Sequence, residues 1–368
     1  MNHRPILIID LAKYYGGADV RVVDLAKALH GKRDYTVATL GRSPLYKRLV
    51  SLGLNAQQVP HGRGNPLMVS YLRNLIRKQG FGVVDAHNPQ SQFWGHLASS
   101  TISGITRVST VHSAYRLEHG NSPKGRLYES VLRMNRRAGA HFIAITEAVD
   151  KYLGDAGIPQ DRTTLIHNCL DVKRLQVGRS EMEPFRELGW DDDTYVLITV
   201  SRLEPVKAHK ILLDGISQVV GEYSDFRCLI VGDGRLREEL EAQVNCLQLG
   251  NIVHFAGFRD DIPALLAASN AFTLPSLSEG LPYALLEASS QALPMLVTAV
   301  GGMAELLEHR KTGYLIPVAD ADALAGGIRW LMENREQATE IGESAHCLIR
   351  DKFSPQEMIE KTLAVYDR

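Results

Sequence analysis

Short apolar runs rich in β-branched residues alternate with longer amphipathic stretches in the first half of the chain. Helix-length stretches such as 20–30 and 66–80 separate these runs. The runs are typical of buried strands, and they cover residues 5–10, 35–40, 82–87, 106–112, 141–146 and 163–168. Strands that alternate with helices predict a parallel sheet with helices on both faces.

A polar stretch at 172–193 interrupts this pattern, which then starts again. The later strand-like runs cover residues 194–200, 226–232, 251–257, 271–276, 294–299 and 313–317. We therefore predict two α/β domains, 1–172 and 194–353, with 173–193 as the connection between them. The last segment, 354–368, predicts a helix, with Pro355 in its first turn.

Length and composition fit this organisation. A chain of 368 residues suits two domains, and 45% hydrophobic with 23% charged residues is typical of a soluble globular protein. Its four cysteines are scattered, without the spacing of a metal site. We therefore expect reduced thiols in a cytoplasmic protein, and neither a signal peptide nor a membrane span is apparent.

The charge is distributed unevenly between the two halves. The formal charge is +13 over residues 1–180 and −14 over residues 181–368. A basic half attracts anions, which suggests a phosphate-rich partner or a membrane surface, although the asymmetry can also serve solubility alone. The sequence gives no sign of a nucleic-acid partner.

Ligands of parallel sheets bind at the carboxyl ends of the strands, so the loops there are the candidates for chemistry. Gly16 and Gly17 follow the first strand and open a helix, where free amides favour an anion, but the same pair can be a simple turn. His112 ends another strand. His87 has only an aspartate beside it, and zinc needs three or four ligands, so we predict no metal site.

Two loops of the second half carry the strongest signals. Arg202 and Lys207 follow a strand and could together neutralise a diphosphate, although a solvated charged loop is the alternative. Glu279 lies in a loop, and Glu287 lies about five residues into the next helix, roughly 7–8 Å along its axis. Facing carboxylates of a retaining glycosidase are about 5–5.5 Å apart. The spacing therefore favours two carboxylates that bind separate parts of one elongated ligand.

Together these segments resemble the retaining nucleotide-sugar glycosyltransferases of glycosyltransferase family 4. Each segment is weak evidence alone, but their order and spacing along nearly the whole chain are specific. The resemblance rests on the glycines at 16–17, VHSAY (111–115), FIAITEAV (142–149), LIHNCLD (165–171), SRLEPVKAHK (201–210), VGDGRLREEL (231–240), FAGFRDDI (255–262), the glutamates at 279 and 287, and the terminal segment.

The resemblance implies a GT-B fold, in which two Rossmann-like β/α/β domains face each other across a cleft and the terminal helix packs back on the first domain. It implies that Arg202 and Lys207 bind the donor diphosphate, that Glu279 contacts the transferred sugar and that Glu287 binds the ribose. His112 would lie against the sugar. The other substrate-binding positions that it implies are Gly16, Gly17, Asn168, Gly232, Phe258, Arg259, Gly280, Leu281 and Pro282.

The chain departs from the usual family pattern at three places. Ser201 and Ala208 stand where glycines are usual, and Cys169 follows Asn168 in place of a glycine. These changes bear on loop geometry and on the identity of the donor, because the charged groups are retained.

The resemblance further implies metal-independent transfer, with retention, from a nucleotide-diphosphate sugar to a hydroxyl acceptor. No cofactor is expected, and a UDP-sugar is slightly favoured over a GDP-sugar. The expected acceptor is a bacterial-type glycan or lipid-linked sugar. The alternatives are an epimerase or hydrolase of nucleotide sugars and a non-catalytic partner subunit.

The acceptor should bind to the basic half. Residues 122–142 predict a helix with basic and apolar positions, namely Lys124, Arg126, Leu127, Val131, Leu132, Arg133, Met134, Arg136 and Arg137. Such a helix can contact anionic lipid at the inner face of the membrane, or it can pack on the core with a solvated basic face.

Overall fold

The computed structural model describes residues 4–115, 122–169 and 183–368, with side chains from Phe185 onward in the last range. The chain forms two compact units. Met1–Cys169 and Pro355–Arg368 form the first, and Leu170–Ser354 forms the second. Each unit is built on one parallel sheet.

The first unit contains seven parallel strands in the order β3-β2-β1-β4-β5-β6-β7. They are β1 (Ile6–Asp10), β2 (Tyr35–Leu40), β3 (Ala56–Val59), β4 (Val83–His87), β5 (Thr106–Val111), β6 (His141–Ala144) and β7 (Thr163–Leu165). Residues in β1 and β4 are buried throughout, as expected where both faces of a sheet are covered. The carboxyl ends of β1, β4 and β5 are therefore neighbours.

Helices cover both faces of this sheet. They are α1 (Gly17–Leu29), α2 (Pro44–Ser51), α3 (Leu67–Gln79), α4 (Pro89–Ser99), α5 (Pro123–Arg137), α6 (Glu147–Asp155) and the terminal α15 (Pro355–Tyr366). Helix α15 belongs to this core because Met358, Val365 and Tyr366 pack with residues of β1 and α1. The last helix of the chain is thus part of the first unit.

The second unit contains six parallel strands in the order β10-β9-β8-β11-β12-β13. They are β8 (Tyr195–Val200), β9 (Phe226–Val231), β10 (Val253–Gly257), β11 (Ala271–Leu274), β12 (Met295–Thr298) and β13 (Tyr314–Ile316). Strands β8, β11 and β12 are adjacent. The loops that follow these three strands therefore emerge side by side.

The helices of this unit are α7 (Glu183–Arg186), α8 (His209–Ser217), α9 (Arg237–Cys246), α10 (Ile262–Ala268), α11 (Tyr283–Ser290), α12 (Gly301–Leu306), α13 (Ala321–Glu333) and α14 (Arg335–Lys352). Two apolar clusters fill the faces of the sheet. The two parallel α/β units confirm the predicted fold class.

Three details differ from the sequence interpretation. Strand β3 was not predicted. Residues 173–182 of the proposed connection lie outside the described residues, and its described part belongs to the second unit, where Phe185 is fully buried in the core. The helix predicted over 122–142 ends at Arg137, because Gly139 has a left-handed conformation (φ 76°) that stops it before β6.

Among the described residues, no helix is long and apolar enough to cross a membrane.

Candidate functional site

The loop after β8 carries Arg202 and Lys207, and its backbone turns sharply at Lys207. Residues Pro205–Lys207 form a 3₁₀ turn, after which Ala208 has a left-handed conformation (φ 52°) and α8 begins. Glycine adopts this conformation without steric cost, so Ala208 keeps here a geometry that usually favours glycine. Arg202 has an exposed side chain, whereas Lys207 is largely buried.

Gly232 supports this loop from the end of β9. It has φ +129°, and a Cβ atom there would lie 2.0 Å from the carbonyl oxygen of Ser201. The Ser201 hydroxyl lies 3.0 Å from Nε2 of His209 in α8. Gly232 is therefore placed where it fixes the path of the loop that carries Arg202.

The loop after β11 brings Glu279 to Lys207. Nζ of Lys207 forms an ion pair with Oε1 of Glu279, and the two side chains are only 14% and 8% exposed. The hydroxyl of Ser276 donates to the same oxygen at 2.6 Å. A largely buried charge pair is expensive to assemble, because both charged groups lose contact with water.

The loop after β12 lies directly behind Glu279. Gly301 has φ +48°, and a Cβ atom there would lie 1.9 Å from the carbonyl oxygen of Glu279. The amide of Gly302 donates to the carbonyl oxygen of Gly280 at 2.8 Å. The backbone that carries Glu279 is thus held from behind at a distance that only glycine allows.

Glu287 lies in α11, on the helix that follows the Glu279 loop. Pro282 is extended and precedes the helix, which begins at Tyr283, one residue later than the sequence suggests. Leu281 is 4% exposed and Glu287 is half-buried. The first-turn amides of α11 therefore follow Glu279 by only a few residues in the sequence. The free amides at the start of a helix favour an anion.

The loop after β10 carries Phe258 and Arg259. Phe258 is 64% exposed, which is unusual for a large aromatic side chain. Arg259 forms two hydrogen bonds to Asp261, and this bidentate contact raises the pKa of Arg259 and lowers that of Asp261. Phe258 is therefore available to stack on a flat ligand, whereas Arg259 is already engaged.

In the first unit, His112 ends a buried chain of polar side chains. Its Nε2 lies 2.9 Å from Nδ1 of His87, and Nε2 of His87 lies 3.3 Å from Oδ2 of Asp85. Asp85 also accepts hydrogen bonds from Thr110 at 3.0 Å and from Tyr366 of α15 at 2.5 Å. His87 and Asp85 are buried, but His112 is partly exposed.

The pKa values of two members of this network of polar side chains lie below their usual ranges. Burial, together with the neighbouring His87 and Arg21, holds the pKa of His112 well below its usual value. Burial alone would raise the pKa of Asp85, but the charge of His87 and the hydrogen bonds from its partners outweigh it and lower that pKa. Asp85 therefore stays ionised, and His112 stays neutral at pH 7.

Asp10 ends β1 beside this chain. Its Oδ1 accepts from Asn88 at 2.7 Å and from the amide of Ala12 at 2.9 Å, while its Oδ2 is buried without a hydrogen-bond partner among the described residues. Burial is the largest influence on Asp10 and raises its pKa, against the opposing effects of His87 and Arg63. Asn88 has φ 55°, an uncommon conformation outside glycine.

Two of the predicted residues of the first unit, Gly16 and Asn168, have hydrogen-bond partners within that unit. Gly16 precedes α1 and donates its amide to Asp19 at 2.9 Å, and Gly17 begins the helix. Asn168 is 2% exposed and accepts from the buried Arg21 at 3.1 Å. The amide of Gly16 is therefore already occupied by a carboxylate.

The structure thus brings Lys207 and Glu279 into contact, and it places His112 in a network that the sequence interpretation missed. Asp10, Asp85 and Asn88 were not singled out, and His87 was considered only as a zinc ligand. Polar residues at the ends of otherwise apolar strands were the signal that could have identified them. Among the described residues, no group of three or more His, Cys, Asp or Glu side chains could hold a metal.

Two family models match the chain, one in each half. The model described as Glycosyltransferase Family 4 matches residues 15–174, and that described as Glycosyl transferases group 1 matches residues 181–346. The two matches follow one another along the chain and together span most of its length.

The chain is also similar to individual glycosyltransferases. It is 25% identical over 301 residues to N-acetyl-alpha-D-glucosaminyl L-malate synthase of Bacillus anthracis, covering 81% of this chain and 78% of that protein. It is 26% identical over 264 residues to UDP-Gal:alpha-D-GlcNAc-diphosphoundecaprenol alpha-1,3-galactosyltransferase of Escherichia coli, covering 70% and 68%.

Among solved structures, HepE of Anabaena in complex with UDP-glucose superposes with a TM-score of 0.88 and 24% identity, covering 99% of this chain and 100% of that chain. This likeness establishes the fold. The order of the two family matches, the named relatives and the two parallel α/β units agree, and the chain belongs to glycosyltransferase family 4, whose members are sugar transferases with the GT-B fold.

Proposed function

We propose that this protein is a retaining glycosyltransferase that moves a sugar from a nucleotide-diphosphate sugar to a hydroxyl acceptor without a metal ion. The observation that carries the proposal is the contact between Lys207 and Glu279, a cation and an anion held in adjacent loops at the carboxyl edge of one sheet. The cation suits a diphosphate, and the carboxylate suits the hydroxyls of a sugar.

Charge explains how this arrangement would act. When the bond between the anomeric carbon and the diphosphate oxygen breaks, negative charge grows on the diphosphate and positive charge grows on the sugar. Lys207, the exposed Arg202 and the first amides of α11 would stabilise the diphosphate more as this charge develops. These groups supply the positive charge that a metal would otherwise contribute, which supports metal independence.

Glu279 would support the sugar instead of attacking it. Its Oε1 is engaged by Lys207 and Ser276, so the carboxylate is already oriented by two donors. In a front-face substitution, the acceptor oxygen bonds to the anomeric carbon on the side from which the diphosphate leaves. The acceptor proton passes to the departing phosphate oxygen, which closes the proton balance without a protein nucleophile.

The donor proposed is a UDP-sugar. HepE has been solved with UDP-glucose, and the E. coli relative is named for UDP-Gal, which supports UDP above GDP. Glu287 would bind the ribose, the exposed ring of Phe258 would lie along the base, and His112 would accept a hydrogen bond from a sugar hydroxyl. The remaining predicted positions, Gly16, Gly17, Asn168, Gly232, Arg259, Gly280, Leu281 and Pro282, would shape the ligand-binding loops.

The acceptor proposed is a glycan or a lipid-linked sugar, at the cytoplasmic face of a membrane. Helix α5 supports this part, because it buries Val131 and Leu132 and exposes Arg133, Arg137 and the 60% exposed Leu127. A basic surface with an exposed leucine is suited to anionic lipid. Flotation with phosphatidylglycerol vesicles at low salt tests it, and equal binding to neutral vesicles would contradict it.

A panel of UDP-, GDP-, ADP- and TDP-sugars in a thermal-shift assay tests the donor. The proposal expects the largest stabilisation with a UDP-sugar, since a ligand that binds only the folded protein raises its melting temperature. Glu287→Ala should raise the donor KM with less effect on kcat. Equal shifts with every nucleotide, or none, would contradict the donor assignment.

The products separate the proposal from its alternatives. NMR of the product should show the same anomeric configuration as the donor, formed only when an acceptor is present. Rapid release of an epimerised or free sugar from the donor alone would favour an epimerase or hydrolase. Donor binding without any turnover would favour a non-catalytic subunit.

A further inference from the structure

The row of polar side chains Asp85, His87 and His112 can hold its protons in only some arrangements, because only some of its atoms can donate hydrogen bonds. Asp85 is an acceptor when ionised, and Oδ2 of Asp85 lies 3.3 Å from Nε2 of His87. The contact is not a linear hydrogen bond, but the carboxylate still favours the proton on that nitrogen. In its neutral form, with the proton on Nε2, His87 presents Nδ1 as a lone pair.

The same reasoning fixes the proton on His112. Its Nε2 lies 2.9 Å from Nδ1 of His87, so Nε2 of His112 must carry the proton when Nδ1 of His87 carries none. A neutral imidazole has a single N–H, which leaves Nδ1 of His112 as an acceptor. His112 is partly exposed, whereas the rest of the chain is buried.

The C-terminal helix determines where Asp85 lies. Tyr366 is fully buried and donates to Oδ2 of Asp85, and its carbonyl oxygen accepts from Arg4 at 2.9 Å. Arg33 pairs with Asp367 at 3.0 Å and fixes the same helix end. Tyr366 and Thr110 together leave the carboxylate little freedom to rotate away from His87.

We propose that Asp85 and His87 are positioning residues that hold His112 with its proton on Nε2, so that Nδ1 accepts a hydrogen bond from a hydroxyl of the sugar substrate. The inference rests on the proposed function, because it takes a sugar as the ligand of His112. The proposal also gives the C-terminal helix a role in the first unit, because its Tyr366 holds Asp85, the acidic member of this row of side chains.

The direct test is the tautomer of His112, measured by ¹⁵N NMR of histidine-labelled protein at pH 8 without substrate. The chain has 13 histidines, so the signal is assigned by its loss in His112→Gln. The proposal expects Nε2 of His112 to be protonated and Nδ1 to be bare. A wild-type protein with the proton on Nδ1 would overturn it without any variant.

Two variants then separate the effect of the Asp85 carboxylate on the tautomer from the effect of side-chain packing on stability. Asp85→Asn keeps the size of the side chain but offers an N–H to His87, so the proton of His112 should move to Nδ1. Tyr366→Phe removes the hydroxyl and keeps the carboxylate, so the tautomer should stay as in the wild type while the melting temperature falls. An unchanged tautomer in Asp85→Asn would contradict the proposal.

Activity shows whether the tautomer matters for the sugar. With the UDP-sugar chosen by the thermal-shift panel, Asp85→Asn should lower kcat/KM by about 10- to 100-fold, as expected when a donor meets a donor at a substrate hydroxyl. A reversed tautomer with unchanged kcat/KM would overturn the role at the sugar. Absence of transfer by the wild type would instead mean failure of the proposed function, and the NMR result would still decide the tautomer.

Discussion

The carboxyl edges of the two sheets are alike in topology but differ in the kind of polar side chains that they carry. In the second unit the edge carries formal charges, with the exposed Arg202 and the largely buried pair of Lys207 and Glu279. In the first unit the edge carries a row of polar side chains in contact, Asp85, His87 and His112. In the proposed function, the edge of the second unit recognises a strongly anionic group and the edge of the first unit recognises neutral hydroxyls.

The chemistry of the two proposed ligands accounts for the difference between the two edges. A diphosphate binds best to cations that it can reach and that stay charged, so its site needs partly exposed Lys and Arg side chains. A hydroxyl carries no charge, so it is recognised by the direction of its hydrogen bonds. A fixed direction requires side chains that cannot rotate. The buried histidine and aspartate side chains of the first unit meet that requirement.

The largest effect should come from removing the cation of the second edge. Lys207→Ala should lower kcat/KM by about 100- to 1,000-fold, because a preorganised donor to the developing charge is lost. Lys210→Ala is the matched control, since Lys210 lies three residues further along and pairs with Glu239 at the surface. Steady-state rates of sugar transfer measure both, and near-normal turnover by Lys207→Ala would contradict the assignment of the site.

A smaller effect should follow from moving Glu279 without changing it. Gly301→Ala places a methyl group 1.9 Å from the Glu279 carbonyl oxygen at φ +48°, and this should cost about 1–3 kcal/mol of stability with a fall in kcat/KM. Gly326→Ala is the control, because Gly326 lies in α13 with nothing within 4 Å of its Cβ position. Urea unfolding and transfer rates separate the two variants, and equal behaviour of both would show that the close approach is unimportant.

The sequence predicted most of this fold for a simple reason. Twelve of the thirteen strands were predicted, because the central strands are buried in parallel sheets and are mostly apolar runs. Strand β3, with the sequence AQQV, lies at an edge and has no such run. The end of α5 was misplaced because Gly139 stops the helix through its backbone conformation, which composition alone does not reveal.

The site could be predicted only as far as the loops. The order of the strands brings Lys207 and Glu279 to one edge, but their contact depends on the left-handed turn at Ala208 and on the glycines behind Glu279. The link between Asp85 and Tyr366 joins residues 281 positions apart. No local pattern indicates such a contact, because it follows from the return of the last helix to the first sheet.

The acid stability of the protein should reflect its buried histidines, and most strongly those of the first unit. Burial is the largest cause that lowers the pKa of His96 to about 3 and those of His141 and His209 to about 4. The unfolded chain binds these protons at higher pH than the folded one. The free energy of unfolding should therefore fall as the pH drops from about 6.5 towards 4, by about 1.4 kcal/mol per pH unit for each of the buried His96 and His209 and by less for the half-buried His141.

Urea unfolding between pH 4 and pH 7 measures this slope. His96→Gln should flatten it, because Gln takes up no proton, whereas His30→Gln, at an exposed position, should leave it unchanged. A slope that is the same in wild type and His96→Gln would contradict the role of burial at that site.

The most direct test of the account is the affinity of UDP for three forms of the protein, measured by isothermal titration calorimetry at one ionic strength. Because Glu279 holds Lys207 and repels the diphosphate, Glu279→Gln should bind UDP several-fold more tightly than the wild type, at roughly 1 kcal/mol for one charge contact. Lys207→Met should bind it about tenfold or more weakly. Such opposite shifts are the predicted result, whereas equal affinities in all three forms, or weaker binding in both variants, would contradict the account.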